Sequence, residues 1–196
     1  KFIIYDNSNN NSLIKLLNNY IINKKVILIK WIYPYRLKKS GISGQTTQQN
    51  HSLYTWKNSK YIGFFDIDEY VNIQNGNNLN IFLNKYISNN NLNIKNISCF
   101  QLSNKNFYNP YNKSTENLNF LYIYNCDKII KKGREKNIVI PKNTDAISVH
   151  TITLGKHIHK INYKNIYFNH YIYLNKKNRG KKITNLKDNT IIKNLN

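Results

Sequence analysis

Tyr61-Ile-Gly-Phe-Phe-Asp-Ile-Asp-Glu-Tyr-Val71 decides how this sequence reads. Tyr61 to Phe65 are apolar or small, and they run straight into Asp66, Asp68 and Glu69. An apolar run of this length, bounded by polar turn-formers, predicts a buried strand. Carboxylates are not buried unpaired, because desolvating an ion is costly unless it is matched. The acids are therefore expected just past the strand end, at the edge where an open α/β sheet binds its ligands. Side chains alternate along an extended segment, so Asp66 and Asp68 share one side. Two hard oxygen donors facing a phosphate site suit Mg²⁺ or Mn²⁺. The chain has 9 acidic residues in all, and three fall in this stretch, where their repulsion calls for a cation. The alternative is a turn or helix cap formed by Asp66 or Asp68.

Length predicts one domain, residues 1–196, large enough to bury a core. The sequence has no Met and begins Lys-Phe-Ile-Ile, so a piece of a longer protein is expected. No uninterrupted apolar run of about 18 residues encodes a membrane-crossing helix. Cys99 and Cys126 sit in apolar, strand-like segments and read as small core residues, not as a disulfide framework or metal site. That favours a reducing compartment. The net charge of +21 suits an anionic partner: nucleic acid, a phospholipid membrane surface or a sugar nucleotide. Lys, Asn, Ile and Tyr dominate while Arg, Ala, Gly and Pro are scarce, so the coding bias of an AT-rich genome explains the charge equally well. The lysines are spread out, with only short pairs such as Lys131-Lys132, which fits a solvated surface better than a basic arm.

In chain order, Phe2 to Tyr5 is a short strand ending in Asp6-Asn7-Ser8. Ser12 is a candidate N-cap, and Leu13, Leu16, Leu17, Tyr20 and Ile21 recur at helical spacing over 12–23. Val26 to Ile32 is a second strand, which makes a βαβ unit with a parallel sheet. A helix over 45–58, with Gln48, Leu53 and Trp56 inward, leads to the acid strand. The order β-α-β-α-β then brings Asp6 and the Asp66–Asp68 pair out on one edge. A polar loop over 72–78, a helix over 79–87 and a strand over 94–102 follow. Residues 103–117 read as a long functional loop. Short strands are expected near 120–124, 128–130, 137–140, 146–150 and 166–173, where the sheet becomes mixed, and the tail over 181–196 is Lys- and Asn-rich.

Four motifs resemble one family. They are Phe2-Ile-Ile-Tyr-Asp-Asn-Ser8; Gln45 with Asn50-His51; Phe64-Phe-Asp-Ile-Asp-Glu-Tyr70; and Lys136-Asn-Ile-Val-Ile-Pro141 followed by His150, Asn169-His-Tyr171 and Arg179-Gly180. In register over residues 1 to about 180, they resemble the GT-A-fold glycosyltransferases related to family 2, especially the family-92 type. The resemblance implies a mixed, mostly parallel Rossmann-like sheet flanked by helices, from which the family's first strand is missing. It implies a metal-dependent transferase with a nucleotide-sugar donor, UDP sugars favoured, and a glycan or other hydroxyl acceptor. By that resemblance Asp68 binds Mn²⁺ or Mg²⁺, with Asp66 near the ribose or the metal and Asp6 beside the nucleobase. Gln45 belongs to the donor site. His150, ahead of His170, completes the metal set, Glu116 is the general base, and the reaction inverts. The segment between Asn169-His-Tyr171 and Arg179-Gly180 is shorter than the family's.

Each residue also has a plainer reading. Asp6 closes an Asx-turn, Gln45 is a surface helix residue, His150 and His170 are hydrogen-bonded strand residues, and Glu116 is a solvated loop acid. His157 and His159 alternate, but Lys156 and Lys160 beside them oppose a cation. Two other functions compete: a nucleic-acid module with tyrosines stacking on bases, and a catalytically dead GT-A-like interaction domain. The aromatics spread through strand cores, the clustered acids and the absence of a Lys/Arg stripe count against nucleic acid as a partner. The intact Asp66/Asp68 pair argues against a dead enzyme.

Overall fold

The computed structural model describes residues 1–33, 44–76, 78–108, 125–126, 131–172 and 186–187. They belong to two compact units, Lys1–Thr55 and Trp56–Asn196.

The first unit contains β1 (Phe2–Asp6), α1 (Ser12–Ile22), β2 (Val26–Lys30) and α2 (Gly44–Thr55). β1 and β2 pair in parallel, from Phe2 opposite Val26 to Asp6 opposite Lys30. This is the βαβ unit the periodicity predicts. The N-cap of α1 is Asn11, not Ser12; Ser12 N–H donates instead to the Asn10 side chain at 3.0 Å. The helix ends where Lys24 turns to a left-handed φ of 54°. There Lys24 N–H donates to Ile21 C=O and Lys25 N–H to Tyr20 C=O, both at 2.9 Å, which satisfies helix-end carbonyls and turns the chain into β2. On α2, Leu53 is fully buried, with Gln49 and Ser52 beside it on the inner face.

The second unit is built around one long strand. Its elements are β3 (Ile62–Phe64), β4 (Glu69–Ile73), α3 (Leu79–Asn89), β5 (Ile97–Tyr108), β6 (Asn125–Cys126), β7 (Lys131–Val139), β8 (Thr144–Ile147), β9 (Ile152–Gly155), β10 (His157–Lys160), β11 (Ile166–Ile172) and β12 (Leu186–Lys187). β5 pairs in parallel with β10 and then β11, and antiparallel with β7 and then β6. β11 pairs antiparallel with β4, and β7 with β3. β8 and β9 form a separate hairpin. The core holds Phe100, Leu102, Ile138, Ile166 and Phe168 from the sheet and Leu83 from α3.

Three expectations are corrected. The sheet of the second unit is mixed, with more antiparallel than parallel pairings among the described residues, so the mostly parallel Rossmann-like sheet does not stand. Parallel neighbours need a crossover of a dozen residues or more, usually helical, and no α-helix follows α3 among the described residues. The acid strand β3 does not join β1 and β2, which form their own two-stranded sheet. Finally, the loop expected from 103 begins later, because β5 runs on to Tyr108. Its inward polar residues are paired: Asn104 donates to Asn106 at 3.0 Å. No helix among the described residues is long and apolar enough to cross a membrane.

Candidate active site

β3 ends at Phe64, and after four intervening residues the chain has reversed into β4 at Glu69. The reversal is closed twice. Glu69 N–H donates to the Asp66 carbonyl at 3.0 Å, and Asp66 N–H donates to the Glu69 carboxylate at 2.8 Å. Asp66-Ile67-Asp68-Glu69 is thus a tight acid turn whose last side chain ties down its first backbone group. Ile67 at its tip is 93% exposed.

Lys136 lies buried beneath this turn, 1% exposed, with Nζ 2.7 Å from Asp66 Oδ2 and 3.0 Å from Glu69 Oε2. It is held there by β7, where it stands opposite Leu102 of β5. Two strands that hydrogen-bond to each other, β3 and β7, deliver the acids and their cation to the same place. Burial pushes the Glu69 carboxyl above its ordinary range; Lys136 and the Asp66 N–H pull against that rise. A buried cation of this kind holds the carboxylates in one arrangement, and removing it would leave charge without a partner.

Asp68 is the acid that Lys136 does not hold. β4 and β11 pair with Glu69 opposite His170, and Tyr171 N–H donates to the Asp68 carbonyl at 2.9 Å. His170 Nε2 therefore stands 3.6 Å from Asp68 Oδ2. His170 Nδ1 is buried and makes no hydrogen bond among the described residues. Burial lowers the His170 pKa; Asp68 opposes the shift, while Lys136 and Arg134 add to it. The imidazole is thus held toward its neutral form, which carries the lone pair a metal needs. A carboxylate oxygen and an imidazole nitrogen this close can reach one divalent ion, since each bonds at about 2.0–2.2 Å. The donor chemistry fits such an ion as a two-residue half-site. Among the described residues no group of three or more His, Cys, Asp and Glu side chains gathers to hold a metal.

The other predicted residues lie elsewhere. The sequence ranks His150 first, but the histidine facing Asp68 is His170; His150 Nδ1 is 3.1 Å from the Glu135 carbonyl. Glu116 lies outside the described residues. Asp6 and Gln45 belong to the first unit. Asp6 is buried, accepts from Ser8 N–H at 2.9 Å and pairs with Lys30 at 3.2 Å. Its bonds from Ser8, then Lys30, hold its carboxyl below the ordinary range against the opposing effect of burial. Gln45 sits half-buried in the first turn of α2. Beside Asp6 is an aromatic group: Tyr5 and His51 share a 2.8 Å hydrogen bond between the hydroxyl and Nδ1, and Trp31 packs against both at 5.3 and 5.0 Å.

Sequence reasoning missed Lys136 as a site residue. A lysine beginning an apolar strand-like run, Lys136-Asn-Ile-Val-Ile, was the available signal. Cys99, by contrast, is a core residue as expected: it is buried, and burial pushes its thiol up to about 12.

The family model described as glycosyltransferase family 92 matches residues 1–196, the whole sequence. No curated protein matches the chain.

Proposed function

The chain belongs to glycosyltransferase family 92, and from that premise we propose that it transfers a sugar from a nucleotide-sugar donor, a UDP sugar by preference, to a hydroxyl of a glycan or other acceptor, with Mn²⁺ or Mg²⁺. The observation that supports this reading is Asp68 Oδ2 facing His170 Nε2 at 3.6 Å beside a turn whose other two acids are held by Lys136.

In this reading Asp68 and His170 hold the cation. When bound, the ion offsets the negative charge that gathers on the departing diphosphate. Lys136 fixes Asp66 at the rim of the same turn, where it orients the donor ribose. Burial lowers the His170 pKa, which favours the imidazole form whose lone pair a metal needs. Glu116 accepts the proton of the attacking hydroxyl, and a single displacement inverts the anomeric carbon. The +21 charge suits work at an anionic membrane surface.

Thermal stability with and without Mn²⁺, across UDP and GDP sugars, tests the proposal. A ligand at about 100 times its Kd that binds only the folded state adds about 2.7 kcal/mol. The expected shift needs both metal and one donor, disappears in Asp68→Asn and His170→Ala, and survives in His150→Ala. A shift that persists in Asp68→Asn, or no shift with any donor, overturns it.

A further inference from the structure

The strand pair β4–β11 has two ends, and only one carries the acid turn. At the far end Ile73 stands opposite Ile166, roughly 13 Å of extended strand away from Glu69. There the chain opens onto a cleft of about 580 Å³, bounded by α3, by the segment after β4 and by the turn before β11. The turn is fixed by Asn165 N–H donating to Asn162 C=O at 2.9 Å and by Gln74 N–H donating to Asn165 C=O at 3.0 Å.

The lining has an unusual chemistry. Six of its eleven residues are asparagine, and none is acidic. Phe82 and Tyr86 stack at 5.8 Å with 24° between their planes and form an aromatic wall. Some amides are committed: Asn78 caps α3 by accepting from Asn80 and Ile81, and Asn90 donates to the Tyr86 carbonyl. The side chains of Asn75, Asn89 and Asn165 line the same cleft and make no hydrogen bond among the described residues. Each amide presents one acceptor and two donors, a match for neighbouring hydroxyls that both donate and accept. An aromatic wall offers an apolar surface to the C–H face of a ring. Without a carboxylate the cleft has nothing to select a cation, and Lys85 alone is little to hold a polyanion. The volume lies within the range of small-molecule sites.

We propose that this cleft binds a short neutral oligosaccharide, as a distal part of the acceptor. Only the word acceptor rests on the transfer reading; the saccharide chemistry does not. The test is titration of the whole chain with neutral tetrasaccharides of gluco, galacto and manno configuration, without nucleotide or metal, followed by saturation-transfer NMR and calorimetry. At least one is expected to bind, and Asn89→Ala with Asn165→Ala is expected to weaken it at least tenfold while leaving the melting temperature unchanged. Binding is also expected to survive in Asp68→Asn. Three results overturn the proposal: no neutral saccharide binds, the double variant binds like the parent, or a uronic-acid oligosaccharide binds better and is released by salt. If donor binding fails while saccharide binding holds, the cleft stands and its role as an acceptor site falls.

Discussion

Two strands in this molecule run into an acid, and they meet the cost in different ways. β1 ends in Asp6, which is answered by Ser8 two residues on and by Lys30, its in-register neighbour on β2. Lys30 is 41% exposed. β3 runs into Asp66, which is answered by Lys136, 70 residues away and 1% exposed. The first arrangement is local and closed. The second shares one buried cation between Asp66 and Glu69 and leaves Asp68 between them facing His170. Identical cues in sequence thus give a locally paired acid in one place and, in the other, a turn whose middle acid faces a histidine.

The largest expected effect sharpens that contrast. Lys136→Met should cost about 3–5 kcal/mol, because it strands the buried Glu69 carboxylate and removes the cation paired with Asp66. Lys30→Met should cost about 1 kcal/mol or less, because its head is partly solvated. Urea denaturation of both variants measures the difference, and equal losses would erase the distinction between the two strand ends. Next, Asp68→Asn should cut donor turnover about a hundredfold or more and move stability by only about 0.5 kcal/mol. Asp6→Asn should show the reverse balance, with stability falling more than turnover. Steady-state kinetics beside melting curves would reveal a swap.

The smallest effect is in pH dependence, and its sign differs between the two sites. The Asp6 carboxyl is held below its ordinary 3.8, so its stabilisation is present above that pH and is lost as pH falls below it. The Glu69 carboxyl is raised above its ordinary 4.5, so its stabilisation is present below that pH and is lost as pH rises through the raised value. Asp6→Asn should flatten the acid limb of the stability profile, and Glu69→Gln should flatten the limb above 4.5. A carboxyl ¹³C titration that put Glu69 below its ordinary value would show Lys136 outweighing burial.

Much of this was legible in the chain. Apolar runs ending in acids marked β1 and β3, and helical spacing marked α1 and α3. What stayed hidden was hidden for a physical reason. Asn104 donates to Asn106 inside β5, so polarity there does not mean a loop. β4 begins at Glu69, a residue that reads as solvated until Lys136 is known to lie beneath it. His170 faces Asp68 because strand register sets it opposite Glu69, and pairing across that many residues leaves no local trace in sequence. The pairing of β3 with β7 was likewise decided by a partner far along the chain.

The separation of these partners also sets an order of events. Asp66 waits for a lysine 70 residues later, and β4 waits for β11, whose Asn169 is 97 residues beyond Asn72. During synthesis the acid turn therefore emerges with its charges unanswered and stays in water until most of the second unit has been made. Closing such long loops comes late, because their entropy must be offset before distant contacts form. Truncating the chain ahead of β11 would leave the turn without His170, so the facing of Asp68 and His170 should arise only in the last stage of folding.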